Sequence, residues 1–114
     1  MMNIYEHFSK ENIGFLDKKD LSELLSALFE ETEQLLLLLH KCLLNPSDLS
    51  NKHRPNYYFH RLYGTLNVYG WKTLAQLIKE SESQYINHNL ESSAIKIKEG
   101  ITCFYEVKKS LKLA

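Results

Sequence analysis

The sequence predicts an all-α fold: an antiparallel up-down-up-down four-helix bundle with a short extra N-terminal helix. Apolar residues recur at three- and four-residue spacing along most of the 114 residues, as in amphipathic helices. Alternating runs of β-branched residues, which would indicate strands, are scarce. Short connections separate the helical blocks, so consecutive helices should be antiparallel neighbours. The length fits one domain spanning residues 1–114.

The first two helices differ greatly in length. A short helix is predicted from about Asn3 to Lys10, and a glycine-containing break follows it. The second helix begins at Asp17 or Asp20, both of which are good N-cap residues. It ends before Pro46, because proline disfavours helical geometry at the preceding residue.

Three further helices complete the predicted bundle. The third runs from about Arg54 to Val68 and is stopped by Gly70. The fourth runs from Trp71 to Tyr85, and the fifth runs from Leu90 to Leu113. Polar turn residues, "NHN" at 87–89, separate the last two helices.

Composition argues against several classes of partner. The chain has 14 basic and 14 acidic residues, so it should have no general attraction for nucleic acid or for an anionic membrane. No apolar run is long enough to span a bilayer, and no secretory signal core begins the chain. Cys42 and Cys103 fall at apolar helical positions, so we expect both to be buried free thiols. Free thiols are typical of the reducing cytoplasm. We therefore expect a cytoplasmic protein. Separately, we expect a monomer.

The leucine run at 35–39 is apolar on every side of its helix. We expect the short N-terminal helix to cover the outer side of this run. The alternative is an exposed patch used for a partner or for dimerisation. The covering residues would be Met1, Ile4, Tyr5 and Phe8.

The stretch "HRLYGTLNVYG" at 60–70 places a glycine one turn after a histidine. At 100° per residue, the core stripe of this helix lies opposite His60. An exposed helical glycine costs about 1 kcal/mol relative to alanine, so Gly64 needs a compensating reason. Its small size would let another molecule approach His60; the alternative is a plain surface histidine beside a tolerated glycine. The residues on the side of His60 are His53, Asn56, Tyr57, Tyr63, Gly64 and Asn67.

Other chemistries are poorly supported by the pattern. His53 and His60 are two turns apart, but their helix supplies no third or fourth metal ligand. No glycine-rich phosphate loop is present, and no spacing indicates a Ser-His-Asp or Cys-His site. We therefore expect no metal and no cofactor on this chain.

The segment "FHRLYGTLNVYGWKTLAQLIKESE" resembles the signature of the histidine-containing phosphotransfer (HPt) domain of two-component phosphorelays. Upstream, "DLSELLSALFEETEQLLLLLHKCLLNPSD" is similar to the helix that precedes this signature in the family. The resemblance covers about residues 17–113. The matching positions are His60, Leu62, Gly64, Gly70, Leu74 and Leu77, with Glu80 and Glu82 near the acidic end of the next helix.

This resemblance implies a function for His60. It would accept a phosphoryl group from, and donate it to, the aspartate of a response-regulator receiver domain. A hybrid sensor histidine kinase would stand upstream, and Mg²⁺ would be bound by the receiver only. The chain would be a phosphorelay intermediate, and not an enzyme that acts alone. The receiver-docking surface would comprise Phe29, Tyr57, Arg61, Tyr63, Gly64 and Asn67; for Phe29, membership of the core is the alternative.

One position departs from the family pattern. The family usually has lysine three residues after the histidine, where this chain has Tyr63. A phosphoryl group carries nearly two negative charges, and a phenol offers no cation to offset them. A second reading is therefore an adaptor that docks a receiver or a kinase without carrying phosphate. A third is a structural or dimerising bundle with no affinity for receivers.

Overall fold

The computed structural model describes residues 6–45 and 54–111. Within these ranges the regular structure is helical and there is no strand, which confirms the all-α class. The predicted boundaries of the four long helices hold to within a few residues wherever those boundaries are described. The helices are α1 (Lys10–Ile13), α2 (Lys18–Leu44), α3 (Arg54–Tyr69), α4 (Lys72–Ile86) and α5 (Leu90–Ser110).

Side-chain caps fix the start of two helices. The Asp17 carboxylate accepts a hydrogen bond from the backbone N–H of Asp20 at 2.8 Å, so Asp17 is the N-cap of α2. The Asn89 side chain accepts from the backbone N–H of Ser92 at 3.3 Å and caps α5 in the same way. Each cap satisfies a backbone donor that has no partner inside its helix.

The short N-terminal helix was predicted too early in the chain. It begins at Lys10 and ends at Ile13, and residues 6–9 are not α-helical. Ser9 has extended backbone geometry because its N–H donates to the carbonyl of Tyr69 at 3.0 Å. This tertiary bond fastens the segment to the end of α3 and prevents a helix from running through Ser9.

The predicted cover of the leucine run is also wrong for Phe8. This ring packs against Phe29, Tyr69 and Trp71, and Phe29 lies more than one helical turn before the leucine run. Leu35, Leu36 and Leu39 are buried, whereas Leu37 remains 46% exposed. The other proposed covering residues, Met1, Ile4 and Tyr5, lie outside the described part of the chain.

An aromatic cluster joins the helices at one end of the molecule. Trp71 is buried and stacks on Phe29 of α2 and on Phe104 of α5, with ring centroids 5.7 and 6.0 Å apart. Phe8 closes the cluster with its ring 5.3 Å from Trp71, and Tyr69 lies beside both rings. Large aromatic rings bury much apolar surface, so this cluster ties the N-terminal segment to α2, α3 and α5.

Buried hydroxyl groups link neighbouring helices. The Thr32 hydroxyl donates to the carbonyl of Leu28 and lies 2.8 Å from the Tyr69 hydroxyl, which must then donate to it. Ser81 and Ser93 each donate to the backbone carbonyl of the other at 2.8 Å. These bonds satisfy polar groups that would otherwise be costly to bury.

Side-chain contacts join α2 to α3 and α4 to α5. On α2 and α3, Phe29 meets Tyr69 and Glu31 meets Arg61. On α4 and α5, Ser81 meets Ser93, and a Cβ added to Gly100 would lie 3.3 Å from Leu74. Each of these two helix pairs is therefore in contact at two points along its length.

Cys42 and Cys103 are both free thiols; Cys42 is buried and Cys103 is half-buried. Burial, and next the charge of Glu106, raises the pKa of the Cys103 thiol. None of the described helices has the length and apolarity needed to cross a membrane.

Gly70 is required by the backbone at the end of α3. Its φ of +67° lies in the left-handed region, which L side chains adopt at a cost. A Cβ at this position would lie 2.4 Å from the Cβ of Ser9 and 3.0 Å from its nitrogen. The glycine therefore both ends α3 and leaves room for the N-terminal segment.

We expect Gly70→Ala to lower the free energy of unfolding by at least about 2 kcal/mol, because strain and clash act together. Urea unfolding followed by circular dichroism measures this loss. Gly64→Ala serves as a matched control, since Gly64 is helical and has open space around it. Equal stability of the two alanine variants would contradict the role given to Gly70.

Candidate functional site

His60 lies on the exposed side of α3, as its helical spacing predicts. Phe59 and Leu62 are fully buried and fix which side of this helix packs against the rest of the protein. Because successive helical residues are separated by about 100°, the burial of these two side chains directs His60 outwards. The imidazole is therefore presented to solvent on a helix whose orientation is set by its core contacts.

A shallow, open depression between α2 and α3 contains His60. Apolar side chains from both helices contribute to it, with Leu28 nearly buried and Val68 about half exposed. Charged side chains form part of its rim. Besides His60, the lining residues are Leu28 and Glu31 from α2 and Arg61, Gly64, Thr65 and Val68 from α3.

Gly64 leaves free space next to His60. A Cβ added to this glycine would meet no atom within 4 Å, so the protein's own packing does not require glycine here. Its backbone is helical, and no left-handed conformation requires it either. Gly64 thus differs from Gly70, and the space it leaves opens to solvent at the depression.

An ion pair borders the depression. An Arg61 guanidinium nitrogen lies 2.5 Å from a carboxylate oxygen of Glu31, and both side chains are substantially exposed. Exposed pairs of this kind contribute about 0–1 kcal/mol, so exchange of Glu31 for another anion would cost little. Arg61 is the cation that the structure places in the depression with His60.

Tyr63 does not line this depression, although its spacing predicted a position on the side of His60. Its ring is half-buried and its hydroxyl donates to a carboxylate oxygen of Glu82, on α4, at 3.0 Å. Burial, and then this hydrogen bond, raises the pKa of the Tyr63 phenol well above its usual range. Tyr63 therefore remains neutral and faces α4.

Phe29 is a core residue, so its predicted place on the docking surface is wrong. Its side chain is only 2% exposed and packs against the rings of Trp71, Phe104 and Phe8. The next helical turn continues the inward stripe with Thr32, which is also buried. The register of α2 thus directs Phe29 into the aromatic cluster.

Tyr57 and Asn67 are exposed but lie outside the depression. Tyr57 is 58% exposed, and its ring lies 5.6 Å from that of Tyr58. Asn67 lies near α1, where its backbone carbonyl accepts a hydrogen bond from the Asn12 side chain at 2.8 Å. Both residues are therefore at the margins of the surface around His60.

The structure brings His60, Arg61 and Gly64 together and adds residues that the sequence did not select. Leu28, Glu31 and Val68 complete the depression. Val68 lies two turns after His60 and could have been found from helical spacing. Leu28 and Glu31 could not, because the register between two helices decides which residues of α2 face α3.

The described residues contain no group of three histidine, cysteine or acidic side chains suited to hold a metal ion. His53, the other histidine considered with His60, lies outside these residues. Comparisons of the chain with protein-family models, with curated proteins and with solved structures gave no match. The site is therefore interpreted from its own geometry.

We expect Gly64→Ala to raise the free energy of unfolding by about 0.5–1 kcal/mol, because alanine is a better helix former and meets no neighbour here. Chemical denaturation of the variant beside the wild type measures this gain. A loss of stability would show that the fold itself requires glycine at this position.

Proposed function

We propose that this chain is a histidine phosphotransfer protein that relays a phosphoryl group between His60 and the aspartate of response-regulator receiver domains. The observation that carries the proposal is an exposed histidine beside a helical glycine that the fold does not need. Such a glycine lowers helix stability. We attribute its presence to the access that it gives a second molecule to the imidazole of His60.

The proposed scaffold is an antiparallel up-down-up-down four-helix bundle formed by α2, α3, α4 and α5. Between α2 and α3, and between α4 and α5, the residue numbers in contact rise along one helix as they fall along the other. This order supports the antiparallel arrangement. Contacts of α2 with α5 and of α3 with α4 would close the bundle. A rigid bundle suits phosphoryl transfer, which depends mainly on alignment and charge stabilisation.

In the proposed reaction, an imidazole nitrogen of His60 attacks the phosphorus of a receiver's aspartyl phosphate. The new N–P bond forms as the P–O bond to the aspartate breaks, and the carboxylate leaves in line. Mg²⁺ bound by the receiver would neutralise charge on the transferred group. The reverse steps pass the group to a second receiver, with a hybrid sensor histidine kinase upstream in the cytoplasm.

Arg61 is proposed to supply the positive charge that the usual lysine would provide. It shares the depression with His60, whereas the Tyr63 hydroxyl is bonded to Glu82. A phosphoryl group on His60 would compete with Glu31 for the guanidinium, and phosphate is well matched to its paired donors. The receiver would dock on the depression, with Tyr57 and Asn67 at its margins.

A second candidate function is an HPt-like adaptor that binds a receiver or a kinase and regulates it by docking alone. Tyr63 favours this alternative, because a neutral phenol directed at α4 stands in place of the family's lysine. The adaptor would keep the same surface and lose only the chemistry. Binding and transfer must therefore be measured separately.

We expect His60→Gln to abolish uptake of phosphate from a radiolabelled phospho-receiver, because the nucleophilic nitrogen is lost. The assay follows acid-labile, alkali-stable label on the chain and measures receiver binding in parallel. His88→Asn is the matched control, since His88 is an exposed histidine in a left-handed turn that asparagine tolerates.

Label on the wild type and on His88→Asn alone supports the relay. Receiver binding without label on any variant supports the adaptor. Label on His60→Gln would overturn the assignment of His60. If no receiver binds or transfers, both proposals are wrong and a structural bundle remains.

We expect Arg61→Ala to slow phosphate uptake at least about tenfold, because one charge-assisted contact to the phosphoryl group is lost. Glu31→Gln also breaks the ion pair but keeps the guanidinium, so it should not slow uptake. Rapid-quench kinetics separates the two variants. Equal slowing by both would assign the effect to the ion pair as a structural contact.

A further inference from the structure

A second, mostly apolar groove lies between the C-terminal end of α2 and the N-terminal half of α5. Leu44 and Ile95 are its most exposed apolar residues, at 59% and 52%. Leu37 lies two turns before Leu44 on the same side of α2 and is also exposed. The apolar lining of the groove consists of Leu43, Leu44, Leu90, Ala94 and Ile95.

This groove is separate from the depression that contains His60. At 100° per residue, Leu37 and Leu44 project from nearly the opposite side of α2 to Leu28 and Glu31. Neither α3 nor His60 contributes to its lining. A molecule bound in the groove would therefore leave His60 accessible, and this inference does not rest on the proposed phosphotransfer.

Charged residues flank the apolar centre of the groove on α5. Glu91, Ile95 and Lys98 follow one stripe of this helix, at intervals of four and three residues. Within residues 6–45 and 54–111, neither Glu91 nor Lys98 forms an ion pair, whereas Lys96 pairs with both Glu80 and Glu99. A negative charge therefore lies on one side of Ile95 and a positive charge on the other, and each is available for an ion pair.

The groove carries no further charge from His40, which also lines it. Burial, and next the positive charge of Lys98, lowers the pKa of the His40 imidazole. The side chain is therefore neutral at pH 7. Glu91 and Lys98 are the charged groups that line the groove.

We propose that the groove binds the same groove of a second copy of this chain about a two-fold axis near Ile95. When two α5 helices pair in opposite directions about a point between Ala94 and Ile95, residue 91 of each faces residue 98 of the other. Glu91 and Lys98 then form two equivalent ion pairs around an apolar centre. Such self-complementarity is what a two-fold interface requires.

The overall charge also favours association of identical chains. The formal net charge is zero and the pI is about 7.0, so two copies do not repel each other at neutral pH. The groove spans two turns of each helix, which makes a small interface. Small interfaces are weak, and we expect a dissociation constant in the micromolar range. This dimer is the alternative to the expected monomer.

Sedimentation velocity on the full chain, from about 1 to about 200 µM, tests the proposal. We expect a monomer–dimer equilibrium in the wild type. Lys98→Glu should weaken it by about tenfold, because the symmetry places two new repulsions in each dimer. The double variant Glu91→Lys/Lys98→Glu should restore the wild-type dissociation constant to within about threefold. Lys79→Glu, an exposed change of the same charge on α4, is the control and should have no effect.

Rescue by the double variant, with no effect of the control, establishes the interface. A wild type that remains monomeric over this range overturns the proposal, because the groove then does not bind a second copy of the chain. A dimer that Lys98→Glu leaves unchanged overturns it as well. Association that Lys98→Glu weakens but the double variant does not restore would exclude pairing of Glu91 with Lys98.

Discussion

The packing of Trp71 against both Phe29 and Phe104 is the contact on which the rest of this structure depends. Trp71 lies in the short connection between α3 and α4, so its burial fixes how the chain turns between them. Its two stacking partners belong to α2 and α5, and Phe8 adds the N-terminal segment. One buried ring thus sets the relative positions of elements far apart in sequence, through apolar burial and aromatic packing. Its indole N–H has no hydrogen-bond partner among the described residues, so shape and apolar burial hold the ring in place.

The same packing determines what α3 presents to solvent. Because Phe59, Leu62 and Leu66 are buried, the opposite side of the helix carries His60. Gly64, within this helix, and Gly70, directly after it, are present for different reasons. Gly70 is fixed by its left-handed backbone and by contact with Ser9, while Gly64 meets no neighbour at all. A glycine that costs helix stability without serving the fold is best explained by a requirement outside the fold, and this asymmetry supports a docking role for the surface around His60.

Helix α2 presents different surfaces on two nearly opposite sides. One side borders His60 through Leu28 and Glu31. Nearly the opposite side contributes Leu44 to the groove shared with α5 and carries the exposed Leu37 two turns earlier. Between these two sides runs a buried stripe that includes Leu25, Phe29 and Leu36. A long helix can separate two surfaces in this way because residues three or four apart share a side, whereas residues half a turn away do not.

The sequence by itself determined the all-α class, the approximate bounds of the long helices and the outward direction of His60. These follow from apolar periodicity and from turn and cap residues, which act over a few neighbouring positions. Only the tertiary structure decided that Phe29 is buried, that Tyr63 turns to Glu82, and that Glu31 and Arg61 meet beside His60. It also decided that the first helix begins at Lys10 and not earlier in the chain, because the Ser9 N–H donates a hydrogen bond to the carbonyl of Tyr69, some 60 residues away. The physical reason is the register between helices: it is set by how side chains from distant segments pack together, and no local pattern encodes it.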